Sequence, residues 1–173
     1  MNWIVLANPV LQAMISVHSF NGSNGSYPVG PLIANTSGNL FGTTFLGGVN
    51  NDGTVFELQN IGTLTAPVYA STPTTLVGFN GSNGAGPAFG ALIENANGDL
   101  FGTTQNGGAN NLGTVFEIQN IGTLAAPVYA STPLTLVSFD GLNGKSPDAG
   151  LTADANGNLF GTTSGDGTTS YGS

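Results

Sequence analysis

The sequence has no cysteine and few charged residues: Asp, Glu, Lys and Arg together make up 6% of 173 residues. Without cysteine the chain can form no disulfide and offers no thiolate ligand to a metal. One Lys or Arg stands against nine Asp and Glu, so the formal net charge is −8. This charge repels phosphate backbones and anionic membrane surfaces. We therefore expect no nucleic-acid partner.

Long apolar runs are also missing. The most apolar segment, residues 1–17, falls short of the roughly 20 residues that a membrane helix needs, and Asn8 and Pro9 interrupt it. It lacks a basic leader region and a small-residue cleavage site, so it predicts neither a membrane span nor a signal peptide. Glycine is abundant instead, with 28 residues, and the hydrophobic share of 39% is sufficient for one core.

The dominant feature of the sequence is an internal repeat. The segment GNLFGTT at 38–44 returns as GDLFGTT at 98–104 and as GNLFGTT at 157–163. Leu40, Leu100 and Leu159 mark intervals of 60 and 59 residues. Residues 53–77 and 113–137 differ at only three of 25 positions, which indicates a recent duplication.

Each repeat predicts four short antiparallel strands, and therefore an all-β fold. In the second repeat these strands are 91–95, 99–104, 113–119 and 134–139, separated by Gly- and Asn-rich turns. Repeats of four strands at this length are typical of β-propeller blades, which pack radially on one another. Periodic phenylalanines are predicted to fill the space between blades: Phe20, Phe79 and Phe139; Phe41, Phe101 and Phe160; Phe56 and Phe116.

These motifs resemble a known family. The pattern SF-x-G-x-x-G-x-x-P, then a GNLFGTT-type hairpin, then GG followed by GTVF, is similar to the GloVer repeat of bacterial secreted and surface proteins. The resemblance covers nearly all of residues 17–173. It implies a tandem array that forms a β-propeller in exported proteins, which often carry a C-terminal sorting or anchoring signal. It implies no known catalytic activity.

The repeat register predicts an incomplete propeller of about two and a half blades. Residues 1–20 correspond to the end of a preceding blade, 21–79 to the first repeat, 80–139 to the second and 140–173 to a truncated third. A closed propeller typically has four to eight blades. We therefore expect a fragment of a longer protein, in which the remaining blades or another chain cover the exposed edges.

Several chemical motifs are present only in weak form. The turns 35–39, 95–99 and 154–158 space oxygen side chains as calcium loops do, but each has at most one carboxylate, so they predict ordinary turns.

His18 aligns with Val77 and is expected to be a packed residue. Glu57 and Glu117 follow the repeat symmetry, which argues against a glycosidase pair. The glycine-rich segment 81–86 has no lysine after it and predicts no phosphate site. We expect neither a metal nor a cofactor.

The leading hypothesis is a non-catalytic extracellular or cell-surface module for surface association or adhesion, with an extracellular glycan or protein as its partner. The loops 45–53 and 105–113 are the predicted contact regions, with these candidate ligand-binding residues: Asn50, Asn51, Asp52, Asn110 and Asn111. Two alternatives stay open. One is a purely structural spacer. The other is a propeller enzyme, for example a carbohydrate-active one, with its catalytic residues in missing blades or among the carboxylates that break the symmetry: Asp52, Glu94, Asp140, Asp148 and Asp166.

Overall fold

The computed structural model describes residues 2–6, 14–87 and 89–166, and this part of the chain consists of β-strands, turns and loops. The predicted all-β class is confirmed. Helices are absent from these ranges, and with them any helix that could span a membrane. The strands are β1 (Asn2–Leu6), β2 (Met14–Ser19), β3 (Ile33–Ala34), β4 (Leu40–Thr44), β5 (Thr54–Leu58), β6 (Thr74–Gly78), β7 (Ala85–Pro87), β8 (Ile93–Glu94), β9 (Leu100–Asn106), β10 (Thr114–Ile118), β11 (Leu134–Ser138), β12 (Thr152–Ala153) and β13 (Leu159–Phe160).

The first complete sheet, called the first sheet below, lies within the first repeat. Its strand order is β3-β4-β5-β6, with every neighbour antiparallel. In the centre of the sheet Phe41 stands opposite Ile33 on one side and Glu57 on the other. Sequential strands are therefore neighbours throughout, which is the meander that the sequence predicts.

The second sheet repeats this arrangement in the second repeat. Its order is β11-β10-β9-β7, and β8 also pairs with β9. Phe116 lies opposite Gly102 as Phe56 lies opposite Gly42. In both sheets the register shifts by one residue between the valine and the phenylalanine of the third predicted strand, that is, within β10 and β5. The two repeats are thus equivalent in strand pairing as well as in sequence.

Two predicted strand boundaries need correction. β8 is shorter than the predicted 91–95, because the Asn95 side-chain oxygen accepts hydrogen bonds from the backbone N–H groups of Asn97 and Asp99 and closes the turn. β9 extends past the predicted end at 104, because the unpredicted strand β7 pairs beside it, with Ala85 opposite Asn106. The sequence pattern thus predicts four of the strands and misses a fifth.

Two short hairpins account for the remaining strands. β1 pairs with β2, and β12 pairs with β13. Within β1 the register shifts between Trp3 and Ile4. His18 stands opposite Trp3 in this ladder, but its side chain lies outside the described residues, so its packing stays a prediction. The described sheets do not close into a ring.

The main core lies between the first and second sheets. Its buried residues come from both: Phe41, Val55, Val77, Phe79, Leu92, Leu100, Phe116 and Ile118. Burying a side chain of this size contributes about 1.5–3 kcal/mol. The ring of Phe79, which follows β6, packs edge-on against Phe116 of β10, with 5.1 Å between centroids. Of the periodic phenylalanines, Phe41, Phe56, Phe79 and Phe116 are buried, as predicted for core residues, whereas Phe160 is 54% exposed.

Candidate functional site

The two predicted binding loops have the same internal bracing. In loop 45–53 the side-chain oxygen of Asn51 accepts a hydrogen bond from the backbone N–H of Gly47 at 3.1 Å. In loop 105–113 Asn111 accepts the equivalent bond from Gly107 at 3.0 Å. Both asparagines have left-handed backbones, with φ of 61° and 57°. Asparagine tolerates this conformation better than most residues, which explains its presence at the turn.

The neighbouring asparagines fasten each loop to the segment that follows the sheet. The amide nitrogen of Asn50 donates to the carbonyl oxygen of Phe79 at 3.0 Å, and that of Asn110 donates to Phe139 at 3.1 Å. The carbonyl oxygen of Asp52 accepts a hydrogen bond from the N–H of Gly86 in β7. The predicted binding residues therefore also hold their loops in place.

The predicted residues occupy two equivalent positions rather than one cluster. Asn50, Asn51 and Asp52 lie in the first loop, and Asn110 and Asn111 lie in the second. The four asparagines are exposed and Asp52 is half-buried. The tip of the first loop is well exposed to solvent, since Val49 is 96% exposed. The arrangement offers two polar loops that are held by side-chain hydrogen bonds. Ligand binding by these loops stays a prediction.

The opposite end of the sheets carries the short turns that had suggested calcium loops. In each turn the first side-chain oxygen accepts two backbone N–H bonds: Asn35 from Ser37 and Asn39, Asn95 from Asn97 and Asp99, Asp154 from Asn156 and Asn158. The hydrogen bonds from Asn158 lower the pKa of Asp154. These are the ordinary turns that the sequence predicts. Within the described residues, no group of three or more Asp, Glu, His or Cys is placed to hold a metal ion.

A polar cleft near these turns is a site that the sequence did not reveal. It has a volume of about 440 Å³ and lies between the first sheet and residues 125–127 of the second repeat. The Glu57 carboxylate, on its wall, accepts a hydrogen bond from the Asn39 amide at 2.7 Å. Burial raises the pKa of Glu57, and the Asn39 hydrogen bond partly offsets this. The cleft is formed by residues of different repeats, so no local sequence signal could have indicated it.

Tyr129 packs against the main core between the two sheets and carries a buried hydroxyl. Its ring packs edge-on against Phe41, with centroids 5.6 Å apart. The hydroxyl has no hydrogen-bond partner among the described residues. Burial, together with the negative charges of Glu94 and Glu57, raises the pKa of Tyr129 well above its ordinary value. The tyrosine therefore stays neutral and serves mainly as packing.

Two of the carboxylates that break the repeat symmetry, Asp140 and Asp148, form separate hydrogen bonds. Asp140 closes a turn by accepting bonds from the N–H groups of Leu142 and Asn143. Asp148 accepts a hydrogen bond from the Gln105 amide at 2.6 Å. These two side chains therefore have structural partners of their own, and the enzyme alternative stays a prediction.

The repeated threonines of GNLFGTT are also structural. The hydroxyl oxygens of Thr44 and Thr54 are 2.8 Å apart, and Thr44 also donates to the carbonyl oxygen of Leu46. Thr104 and Thr114 form the same pair in the second sheet. All four side chains are buried, so each hydroxyl satisfies another polar group in the sheet interior.

The fold and these sites define an all-β tandem-repeat protein, in which nearly identical antiparallel sheets carry the same loops and turns at equivalent positions. The chain belongs to the Gloeobacter/Verrucomicrobia repeat family, whose sequence model matches residues 5–173. The resemblance to the GloVer repeat is thereby confirmed. No curated protein matches the chain.

Proposed function

We propose that the chain is a non-catalytic binding module that acts outside the cell or at its surface, and that loops 45–53 and 105–113 contact its partner. The observation that carries this proposal is the bracing of both loops by Asn51 and Asn111. A loop that is already held in one conformation loses little entropy when it binds. Exposed, braced loops repeated on one array are suited to recognition.

The partner that fits these loops best is an extracellular glycan. Asparagine amides both donate and accept hydrogen bonds, as sugar hydroxyls do. The loops contain a single charged residue between them, Asp52. Two equivalent loops on one molecule can also bind a repeating polymer with higher avidity than either loop alone. A protein partner is the other outcome that the experiment distinguishes.

We also propose that the repeats are propeller blades, within the boundaries given by the repeat register. One face of the first sheet packs on the opposite face of the second, as successive blades do. Phe79 leaves the outer strand of one sheet and packs against the next. Low charge and abundant Asn, Ser and Thr suit an exported protein, and the family resemblance supports the same location.

A glycan array tests the proposed binding. The folded chain is expected to bind at least one neutral polysaccharide. The double variant Asn50→Ala/Asn110→Ala removes both loop anchors and is expected to weaken that binding at least about tenfold, since avidity requires both loops. A matched control is Asn97→Ala, which removes an exposed asparagine side chain from a repeated turn at the opposite end.

Three results would change the interpretation. If no glycan binds to a chain whose circular dichroism shows intact β-structure, the glycan proposal is wrong. If Asn97→Ala weakens binding as much as the loop variant, the loops are not the contact surface. If a bound glycan is hydrolysed during incubation, the chain is an enzyme and the proposal of a non-catalytic module is wrong.

A further inference from the structure

The polar cleft between the first sheet and the second repeat has the dimensions of a small-molecule site. Its volume of about 440 Å³ lies within the range of about 300–1,000 Å³ that is usual for ligand pockets. Polar side chains from the first repeat form one wall, and small apolar residues of the second repeat form the other: Ser37, Asn39, Glu57, Gln59 and Asn60; Ala125, Ala126 and Pro127. A ligand in the cleft therefore contacts both repeats.

Two of the polar residues hold the first wall in place. Asn39 donates a hydrogen bond to the Glu57 carboxylate at 2.7 Å and accepts one from the backbone N–H of Asn60 at 2.9 Å. The Asn60 amide in turn donates to the carbonyl oxygen of Ser37 and accepts from the N–H of Gly62. Both amides are thus bonded within the protein through their oxygen and their nitrogen. They fix the Glu57 carboxylate before any ligand arrives.

The remaining polar groups of this wall are available to a ligand. One oxygen of Glu57 accepts the bond from Asn39, and among the described residues the other oxygen has no hydrogen-bond partner. In the same part of the chain, the Gln59 side-chain amide and the Ser37 hydroxyl have none either. The cleft therefore presents a carboxylate oxygen, an amide and a hydroxyl together, which both donate and accept hydrogen bonds.

The charge in the cleft is negative, and the chain supplies no positive charge to balance it. Its single Lys or Arg is Lys145, which pairs with Gly165 in the third repeat. The negative charge of Glu94 acts on the Tyr129 hydroxyl together with that of Glu57, so the junction as a whole is negative. A partly buried carboxylate is stabilised most by a partner that brings positive charge and N–H donors. A cationic ligand is therefore favoured over a neutral or an anionic one.

We propose that this cleft binds a small ligand that carries an ammonium group beside hydroxyl groups, the chemistry of an amino sugar. The ammonium group donates to the available oxygen of Glu57, and the neighbouring hydroxyls bond to Gln59 and Ser37. Ala126 and Pro127 on the opposite wall give the C–H face of the sugar ring an apolar surface. None of the residues that line the cleft belongs to loops 45–53 and 105–113, so this inference does not rest on the proposed function.

Titration of the isotope-labelled chain with glucosamine, followed by NMR at about pH 7, tests the site. We expect saturable shifts of the side-chain amide signals of Gln59 and Asn39. The expected dissociation constant is about 1–10 mM, which suits a ligand of this size. Glucose and N-acetylglucosamine are the matched neutral ligands. Each is expected to bind at least about tenfold more weakly, because neither brings the positive charge.

The variant Glu57→Gln removes the charge and keeps an oxygen that can accept the Asn39 hydrogen bond. It is expected to weaken glucosamine binding at least about tenfold, since a charge-assisted bond becomes a neutral one. Glu117→Gln is the matched control. Glu117 stands at the same register position of β10 as Glu57 in β5, opposite a phenylalanine, but does not line the cleft. This control is expected to stay within about twofold of the unsubstituted chain.

A second variant tests the opposite wall without changing any charge. Ala126→Leu places a larger side chain at the cleft and is expected to weaken glucosamine binding at least about fivefold by occupying part of its volume. Ala66→Leu is its control, because Ala66 is the equivalent exposed residue of the first repeat and lies outside the cleft. Circular dichroism of all four variants is expected to match that of the unsubstituted chain.

The loop variant Asn50→Ala/Asn110→Ala leaves the cleft intact and is expected to bind glucosamine normally, so the cleft and the proposed loop contact can fail independently. A glucosamine oligomer that binds more tightly than the monomer identifies the ligand as a unit of a polymer, and equal binding identifies the free sugar. Three results would each overturn the proposal: equal affinity for glucose and glucosamine, glucosamine binding unaffected by Glu57→Gln, or an equal loss in Glu117→Gln.

Discussion

At the scale of single residues, the phenylalanine ring on the neighbouring strand leaves room only for glycine at the third position of the LFGTT strand. A Cβ atom at Gly102 would lie 2.6 Å from Cζ of Phe116 and 2.8 Å from a methyl of Leu92. We predict that Gly102→Ala lowers the free energy of unfolding by about 1–3 kcal/mol, because an overpacked core must shift its neighbours. Urea denaturation measures the change.

Gly78→Ala is the matched control for this substitution. Gly78 also lies in a strand, but a Cβ atom added there has no heavy atom within 4 Å. Alanine at this exposed position is expected to change stability by no more than about 0.5 kcal/mol. Equal losses at both positions would mean that strand glycines are retained for their backbone rather than for packing.

Residue positions were predictable only as far as local periodicity extends. Alternation along the strand places Leu40, Gly42 and Thr44 on one face, and the contacts of Gly42 with Phe56 agree with this. The hydroxyl pair between Thr44 and Thr54 was not predictable, because it depends on the pairing of two strands. The bond from Asn50 to the carbonyl of Phe79, 29 residues away, was hidden for the same reason.

At the scale of elements, the loop that precedes β11 covers part of the neighbouring sheet. Residues 125–127 border the cleft that contains Glu57. Burial raises the pKa of Glu57 in the folded chain above its ordinary value of 4.5, to which it returns on unfolding. The folded chain therefore holds this proton more tightly. Its contribution to stability is present below that value and is lost as the pH rises through the folded pKa.

We accordingly predict that Glu57→Gln reduces the loss of stability between about pH 4 and about pH 7. The substituted side chain keeps an oxygen that can accept the Asn39 hydrogen bond, so packing is preserved. Urea midpoints at the two pH values measure the effect. Asp154→Asn is the control: hydrogen bonds lower the pKa of Asp154 below its ordinary value of 3.8, so its contribution to stability is lost only as the pH falls below that value. This variant is therefore expected to leave the stability difference between the two pH values nearly unchanged, and an equal change in both variants would contradict the assignment.

Strands were predictable where turn-forming residues mark their ends, and they were not predictable where the strand itself contains glycine and proline. Asn and Gly at 95–99 indicated the turn between β8 and β9 correctly. β7 escaped prediction because it contains Gly86, with φ of 59°, followed by Pro87, and both residues are unfavourable in strands. Its pairing with β9 is determined by the tertiary contact rather than by its own composition.

At the scale of the whole molecule, equivalent residues differ in burial according to their position in the array. Phe41 is fully buried and packs against Tyr129 of the next repeat, whereas its equivalent Phe160 is 54% exposed. We predict that Phe41→Ala lowers the free energy of unfolding by about 3–5 kcal/mol. Phe160→Ala is expected to cost less than about 1 kcal/mol, because this side chain is largely exposed.

Thermal or urea unfolding of the two variants measures this difference, and each serves as the control for the other. Similar costs at both positions would show that the third repeat is packed as tightly as the first. The sequence predicted the equivalence of these residues but not their unequal burial, because burial depends on which neighbouring strands are present.

The shared register shift in three separate hairpins has a consequence for how such arrays change in length. The first and second sheets have equivalent strand pairing, and the shift occurs at the same point of the ladder in all three hairpins. A whole unit inserted between the first and second sheets would therefore meet compatible neighbours on both sides. Duplication or deletion of one unit preserves every junction, so unit number can vary by recombination without the design of a new interface.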